Sequence, residues 1–260
     1  MKYSYSDLAK MIDHSLLHPT MTDAELEAGC RLAAKYDVAS VCIKPYAVKR
    51  AVEWLRGTDV IVGAVIGFPH GNSATESKRY ETELACRDGA KEIDMVINIG
   101  KALSADWNYI EADVKAVCDE AHKHGARVKV IFENDYLSNG GAGLSSDDFK
   151  RKLCEICERA GADWVKTSTG YGFVKQPDGS YNYKGATEHD LALMRASCSP
   201  RVQVKAAGGV RDLDGLIKVR ELGGSRCGAT ATAAMMDEFR RREAAGDGGT
   251  TVGKIGSGGY

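Results

Sequence analysis

Three glycine–alanine pairs set the organisation of this chain: Gly89-Ala90, Gly125-Ala126 and Gly161-Ala162 stand at equal intervals of 36 residues. Each follows a stretch of helical hydrophobic period and precedes a short β-branched run. A glycine suits the left-handed residue that ends a helix, so each interval reads as one βα unit. The runs 38–43, 60–66, 92–98, 128–133, 164–167 and 202–206 are predicted strands, and 12–16 and 226–229 raise the count to eight. Between them lie helical stripes. Leu26, Cys30, Ala33 and Ala34 follow a Thr22/Glu25 capping box, while Ile110, Val114, Val117 and Ala121, then Phe149, Leu153, Ile156 and Ala160, end at Gly125 and Gly161.

Eight βα units in 260 residues, 43% of them hydrophobic, predict an α/β fold of the (β/α)8 TIM barrel type over residues 1–245. Near-continuously apolar strands suit a parallel sheet covered by helices, and a doubly wound open sheet is the structural alternative. Residues 246–260 are Gly-rich with little apolar content and read as a flexible tail. Inside 170–185, Pro177-Asp178-Gly179 is a turn between Phe173-Val174 and Tyr181-Asn182-Tyr183, which predicts a hairpin or lid.

Thirty-five basic and thirty-six acidic residues leave a net charge of −1, which provides no field for nucleic acid or an anionic membrane. Small molecules are the expected partners. The eight cysteines lack the dense spacing of a secreted disulfide framework, and Cys154 and Cys157, three residues apart within one helical stripe, read as packing rather than redox groups. A polar N-terminus and the lack of any 18-residue apolar run point to a soluble cytoplasmic protein.

Two strands carry a lysine where an ammonium is costly: Lys166 in Trp164-Val165-Lys166-Thr167, and Lys205 in Val204-Lys205-Ala206. One alone reads equally well as a side chain snorkelling at a barrel rim. Two, near the ends of neighbouring strands, would project into one pocket. A free lysine is neutral only about one part in 2,500 at pH 7. A second ammonium about 4 Å away costs roughly 4 kcal/mol at an effective dielectric near 20, enough to lower the pKa by about three units. Such an amine is what carbinolamine and Schiff-base chemistry requires. Asp94, between Ile93 and Met95, is the third candidate: a group that moves protons, or a structural ion-pair partner for a lysine.

The segments Ile12-Asp13-His14-Ser15-Leu16-Leu17, Val41-Cys42-Ile43, Gly67-Phe68-Pro69-His70-Gly71, Glu92-Ile93-Asp94-Met95-Val96-Ile97-Asn98, Lys166-Thr167-Ser168-Thr169-Gly170 and Val204-Lys205-Ala206-Ala207-Gly208-Gly209-Val210-Arg211 resemble, in order, the deoxyribose-phosphate aldolases. The resemblance runs from about Leu8 to Ala231. It implies a class I aldolase that cleaves 2-deoxy-D-ribose 5-phosphate to acetaldehyde and D-glyceraldehyde 3-phosphate without metal or organic cofactor. Lys166 would form the Schiff base, Lys205 perturb it, and Asp94 serve the proton relay. Asp13, Ser15 and Cys42 would line the substrate pocket.

For the phosphate, Gly208-Gly209 and Gly228-Ala229-Thr230 are the expected contacts, on loops whose backbone amides open helices, and Gly170 is a further expected substrate contact. Two departures remove donors: Ala231 follows Thr230 where relatives often carry paired serines, and Tyr171 stands where some carry lysine. Lys175 or Lys184 could substitute, or the aldehyde pair could differ or lack phosphate. Other readings are weaker. The six histidines show no metal-site spacing, which argues against a metal-dependent aldolase, and a regulatory sugar-phosphate-binding barrel would not need a perturbed amine. The resemblance extends to a terminal Tyr260 that would relay a proton at the imine or enamine carbon, and a disordered chain end with no role is the equal alternative; a homo-oligomer is also compatible with the resemblance.

Overall fold

Each β-branched run is the length of one strand and too short to bury a helical face. In the computed structural model, which describes residues 2–246 and Ile255, these runs form β1 (Ile12–Leu16), β2 (Ser40–Ile43), β3 (Ile61–Ile66), β4 (Glu92–Val96), β5 (Arg127–Ile131) and β6 (Trp164–Lys166). After the short strands β7 (Val174–Lys175) and β8 (Tyr181–Asn182) come β9 (Gln203–Ala207) and β10 (Arg226–Ala229). All but β7 and β8 pair in parallel and close into a barrel, in the order β1-β10-β9-β6-β5-β4-β3-β2. The fold is therefore a TIM barrel, not an open doubly wound sheet. β7 and β8 pair antiparallel across the predicted Pro177-Asp178-Gly179 turn.

The described α-helices are α1 (Tyr5–Ala9), α2 (Asp23–Lys35), α3 (Val48–Trp54), α4 (Thr75–Arg87), α5 (Ile99–Leu103), α6 (Trp107–Lys123), α7 (Ser146–Ala160), α8 (Glu188–Ser197), α9 (Leu213–Glu221) and α10 (Thr232–Ala244). Thr22 and Glu25 form the expected reciprocal cap on α2. Gly89, Gly125 and Gly161 follow α4, α6 and α7 with φ of 111°, 67° and 93°, the conformation that favours glycine. The apolar stripes of α6 and α7 are buried, Cys154 and Cys157 among them.

Two predicted strands end two residues early for local reasons. β4 stops at Val96 because the Asn98 side chain accepts from Lys101 N and caps α5. β5 stops at Ile131 because Glu133 takes a left-handed conformation (φ 55°) and starts the 3-10 turn Asn134–Leu137. Of the predicted tail, only Gly246 and Ile255 are described, and Ile255 packs into the core; Tyr260 lies outside the described residues.

The period of two along each strand divides the molecule into two environments. Ile93 and Met95 of β4, Val128 and Val130 of β5, and Val204 and Ala206 of β9 belong to the large apolar core. Alternate positions face the barrel axis and carry charge: Glu92, Asp94, Lys129, Lys166 and Lys205 reach one another from different strands. Seven of the eight cysteines are buried, and all eight are free thiols. No described helix is long and apolar enough to cross a membrane.

Candidate active site

Strand register brings the three sequence-predicted catalytic residues together. Lys166 ends β6 opposite Lys205 of β9, and Asp94 stands on β4, two strands away through β5. Lys166 Nζ and Lys205 Nζ both donate to Asp94 Oδ2, at 2.7 and 2.8 Å. Lys205 has a second carboxylate, Asp13 Oδ2 at 2.6 Å. Lys166 has no comparable second partner among the described ion pairs.

Beneath this trio lies a layer the sequence reading did not single out. Lys129 is fully buried and pairs with Asp13 at 3.0 Å, with Asp94 at 3.2 Å and more closely with Glu92. Arg226 reaches Asp13 at 2.5 Å and Glu92 at 2.8 Å. Trp164 sits alongside, its ring 5.7 Å from Lys129 Nζ and 5.4 Å from the Arg226 guanidinium. Among the described residues, this network joins three carboxylates (Asp13, Glu92, Asp94) to four basic side chains (Lys129, Lys166, Lys205, Arg226). Arg127, which also meets Glu92, is half exposed and solvated. Charge balances when one base is neutral.

The geometry selects which one. Burial lowers the Lys166 pKa, the Asp94 carboxylate opposes that, and Lys205 lowers it further; the net direction is down. Burial also pulls at Lys205, but Asp13 and Asp94 outweigh it and hold that ammonium well above its ordinary value. For Asp94, burial works upward, and the ammonium groups of Lys129, Lys166 and Lys205 overcome it, keeping the carboxyl ionised. Desolvation, more than repulsion from Lys205, is therefore what lowers the Lys166 pKa. This revises the sequence-based order of causes.

Of the predicted pocket residues, Asp13 is fully buried within the charge network and accepts from Ser40 Oγ at 2.7 Å. Ser15 pairs in register with Cys42, and the Cys42 thiol, pushed up by burial to about 11, is no nucleophile. Cys42 belongs with Leu17, Val65, Phe68 and Tyr171 to a separate apolar cluster, in which Phe68 and Tyr171 meet edge to face at 5.6 Å. Tyr171 therefore presents an apolar ring where a lysine was the alternative.

Gly208, Gly209, Gly228 and Thr230 line one cavity of about 180 Å³, with Ala231 and Arg211. Gly170 abuts it, since a methyl on Gly208 would lie 3.8 Å from Gly170 Cα. Neither Lys175 nor Lys184 lines it; Tyr183 does. The reason is local: the Lys184 N–H is tied to Asp135 Oδ1 at 2.7 Å, and its side chain and that of Lys175 border a different cleft.

A parallel eight-stranded barrel with a lysine–carboxylate cluster on its axis is a lysine-centred TIM-barrel class of fold and site. Residues 8–230 match the description "DeoC/LacD family aldolase", and the chain belongs to that family. It is 50% identical over 240 residues to a deoxyribose-phosphate aldolase of Rhodopirellula baltica, covering 92% of each chain. It is 43% identical over 230 residues to one from Clostridium perfringens, covering 88% of this chain and 94% of that one. The solved deoxyribose phosphate aldolase of Aeropyrum pernix, described as tetrameric, superposes with a TM-score of 0.77 at 28% identity, over 91% of this chain and 92% of that one.

Proposed function

We propose that this aldolase cleaves 2-deoxy-D-ribose 5-phosphate to acetaldehyde and D-glyceraldehyde 3-phosphate through a Schiff base on Lys166. The observation that carries this reading is the asymmetry of the two lysines: Lys205 has two carboxylates, Lys166 a share of one. The neutral Lys166 amine adds to the C1 aldehyde of the open-chain sugar, and loss of water leaves an iminium. Removal of the C3 hydroxyl proton then breaks C2–C3, releasing the phosphorylated aldehyde and leaving an enamine. Protonation at C2 and hydrolysis release acetaldehyde and regenerate the amine.

Asp94, in contact with both ammonium groups, is the group through which protons would pass between Lys166 and Lys205. The apolar cluster of Leu17, Cys42, Val65, Phe68 and Tyr171 suits the methyl end. The glycine-lined cavity, with backbone amides and the Arg211 and Thr230 side chains, suits the phosphate. The partners are thus small aldehydes and a sugar phosphate. We place the protein in the cytoplasm, in keeping with its eight free thiols. Self-association is expected from its likeness to the tetrameric Aeropyrum protein.

Treatment with acetaldehyde and borohydride should add one ethyl group to the peptide that contains Lys166 and to no other lysine peptide. An active preparation in which that peptide stays unlabelled would falsify the mechanism.

A further inference from the structure

The hairpin between β6 and α8 adds nothing to barrel closure, yet one turn of chain grips both of its ends. On the departing side, Glu133 accepts from Thr169 N at 3.1 Å and from the Thr169 hydroxyl, and Thr169 Oγ1 accepts from Tyr171 N at 2.8 Å. The Tyr136 hydroxyl then accepts from Phe173 N at 2.9 Å. On the returning side, the two oxygens of Asp135 accept from Lys184 N at 2.7 Å and Gly185 N at 2.9 Å. The returning stem also lies backbone against backbone on Gly208: a methyl on Gly185 (φ 76°) would stand 2.7 Å from Gly208 C.

This grip fixes the residue just before Lys184. A methyl on Gly172 would meet Tyr183 Cβ at 3.0 Å, and one on Gly208 would meet Tyr183 Cε2 at 3.5 Å, so the ring is seated between the departing stem and the glycine loop after β9. Tyr183 lines the 180 Å³ cavity with Gly208, Gly228 and Thr230. It also lines the outer cleft of about 520 Å³ with Asp135, Lys175 and Lys184. No other described residue lines both.

We propose that Tyr183 is a specificity-determining residue: its ring partitions the inner cavity from the outer cleft and confines the acceptor aldehyde to a short phosphate ester. Asp135 is the positioning residue that holds it there. The inference rests on the reading of the inner cavity as the phosphate end. The ring acts by shape. Without it the two spaces merge, the phosphate loses a wall, and longer or unphosphorylated aldehydes meet no barrier.

The test compares kcat/KM for deoxyribose 5-phosphate and for unphosphorylated deoxyribose in the wild type, Tyr183→Phe, Tyr183→Ala and Asp135→Ala. Losing one shaped contact in a pocket changes discrimination by about tenfold or more. Tyr183→Ala should lower the phosphorylated-to-unphosphorylated ratio by at least that factor, chiefly through KM for the phosphorylated sugar. Tyr183→Phe keeps the ring and should restore the ratio to within about twofold of wild type. Asp135→Ala, which alters no residue that lines the inner cavity but releases the stem that seats Tyr183, should reproduce the Tyr183→Ala loss. A ratio unchanged in both alanine variants, or one that falls as far in Tyr183→Phe, overturns the partition role. Acetaldehyde trapping on Lys166 in the wild type reports the underlying catalytic reading separately. A wild type that shows no preference for the phosphorylated sugar would instead overturn the reading of the cavity as a phosphate end.

Discussion

Lys166 and Lys205 face each other across adjacent strands and donate to the same carboxylate oxygen, Asp94 Oδ2. Lys205 is held charged by Asp13 as well, so Lys166 is the one of the two whose pKa falls. Lys205→Met leaves three carboxylates with Lys129 and Arg226, so Lys166 becomes the third compensating charge. Its pKa should rise, and borohydride-trapped imine should fall more at pH 7 than at pH 9. Equal losses at the two pH values would mean that Lys205 contacts substrate instead.

Asp94→Asn has the opposite effect on the amine. Asp94 raises the Lys166 pKa, so its removal lowers that pKa further, and imine trapping at neutral pH should survive. Turnover should not. Loss of a positioned proton-transfer group typically costs roughly 10²–10⁴ in rate. Single-turnover trapping beside steady-state kcat checks this; parallel loss of both would assign Asp94 a purely structural part.

Lys129→Met strips one ammonium from three buried carboxylates. Breaking a buried pair from one side is destabilising by about 3–5 kcal/mol, because the remaining charge stays uncompensated. Urea titration should show an unfolding free energy lower by that amount, through a lower midpoint at an unchanged slope. A shift below about 1 kcal/mol would show that water or Arg226 makes up the deficit.

Burial pushes the Glu133 carboxyl up to about 7, against the opposing hydrogen bonds from Thr169. Between its ordinary value of 4.5 and about 7, the folded protein keeps a proton that the unfolded chain has lost. Stability therefore falls as pH rises through that window, and the contribution is fully present only below 4.5. At about 1.4 kcal/mol per pH unit, the total is on the order of 3 kcal/mol. Glu133→Gln removes the titrating group while leaving an oxygen for Thr169. Its stability between pH 5 and 7 should be flatter than that of the wild type, and an identical slope would exclude Glu133 as the source.

The three candidate catalytic residues were legible because an ionisable side chain in an apolar strand announces its own cost. Lys129 carries the same mark between Val128 and Val130, but a strand pattern does not say which interior positions lie at the same height on the barrel axis. Glu92 and Arg226 open their strands, where a charge ordinarily faces water, so nothing local sets them apart. Glu92 enters the network through Lys129 on the neighbouring β5, and Arg226 through closure of β10 onto β1, where it meets Asp13. The eight strands, the Gly-ended helices and the hairpin were readable from periodicity and turn chemistry. Tyr183 was not, because its place depends on the left-handed turn at Glu133 and on the acceptors that follow it, Asp135 and Tyr136. The lysines on either side of the hairpin drew attention by charge, while the cavity took the phenol between them by shape.

Because one turn secures both stems, the hairpin tip is mechanically separate from the catalytic strands. Residues 176–182 are mostly exposed, with Phe173 and Tyr181 stacked face to face at 4.1 Å. Such an arrangement behaves as an interchangeable cartridge: tips of other length or composition could be grafted between Phe173 and Tyr183 while the lysine chemistry below is inherited unaltered. Substrate choice and bond cleavage can then evolve, or be engineered, on different parts of one chain.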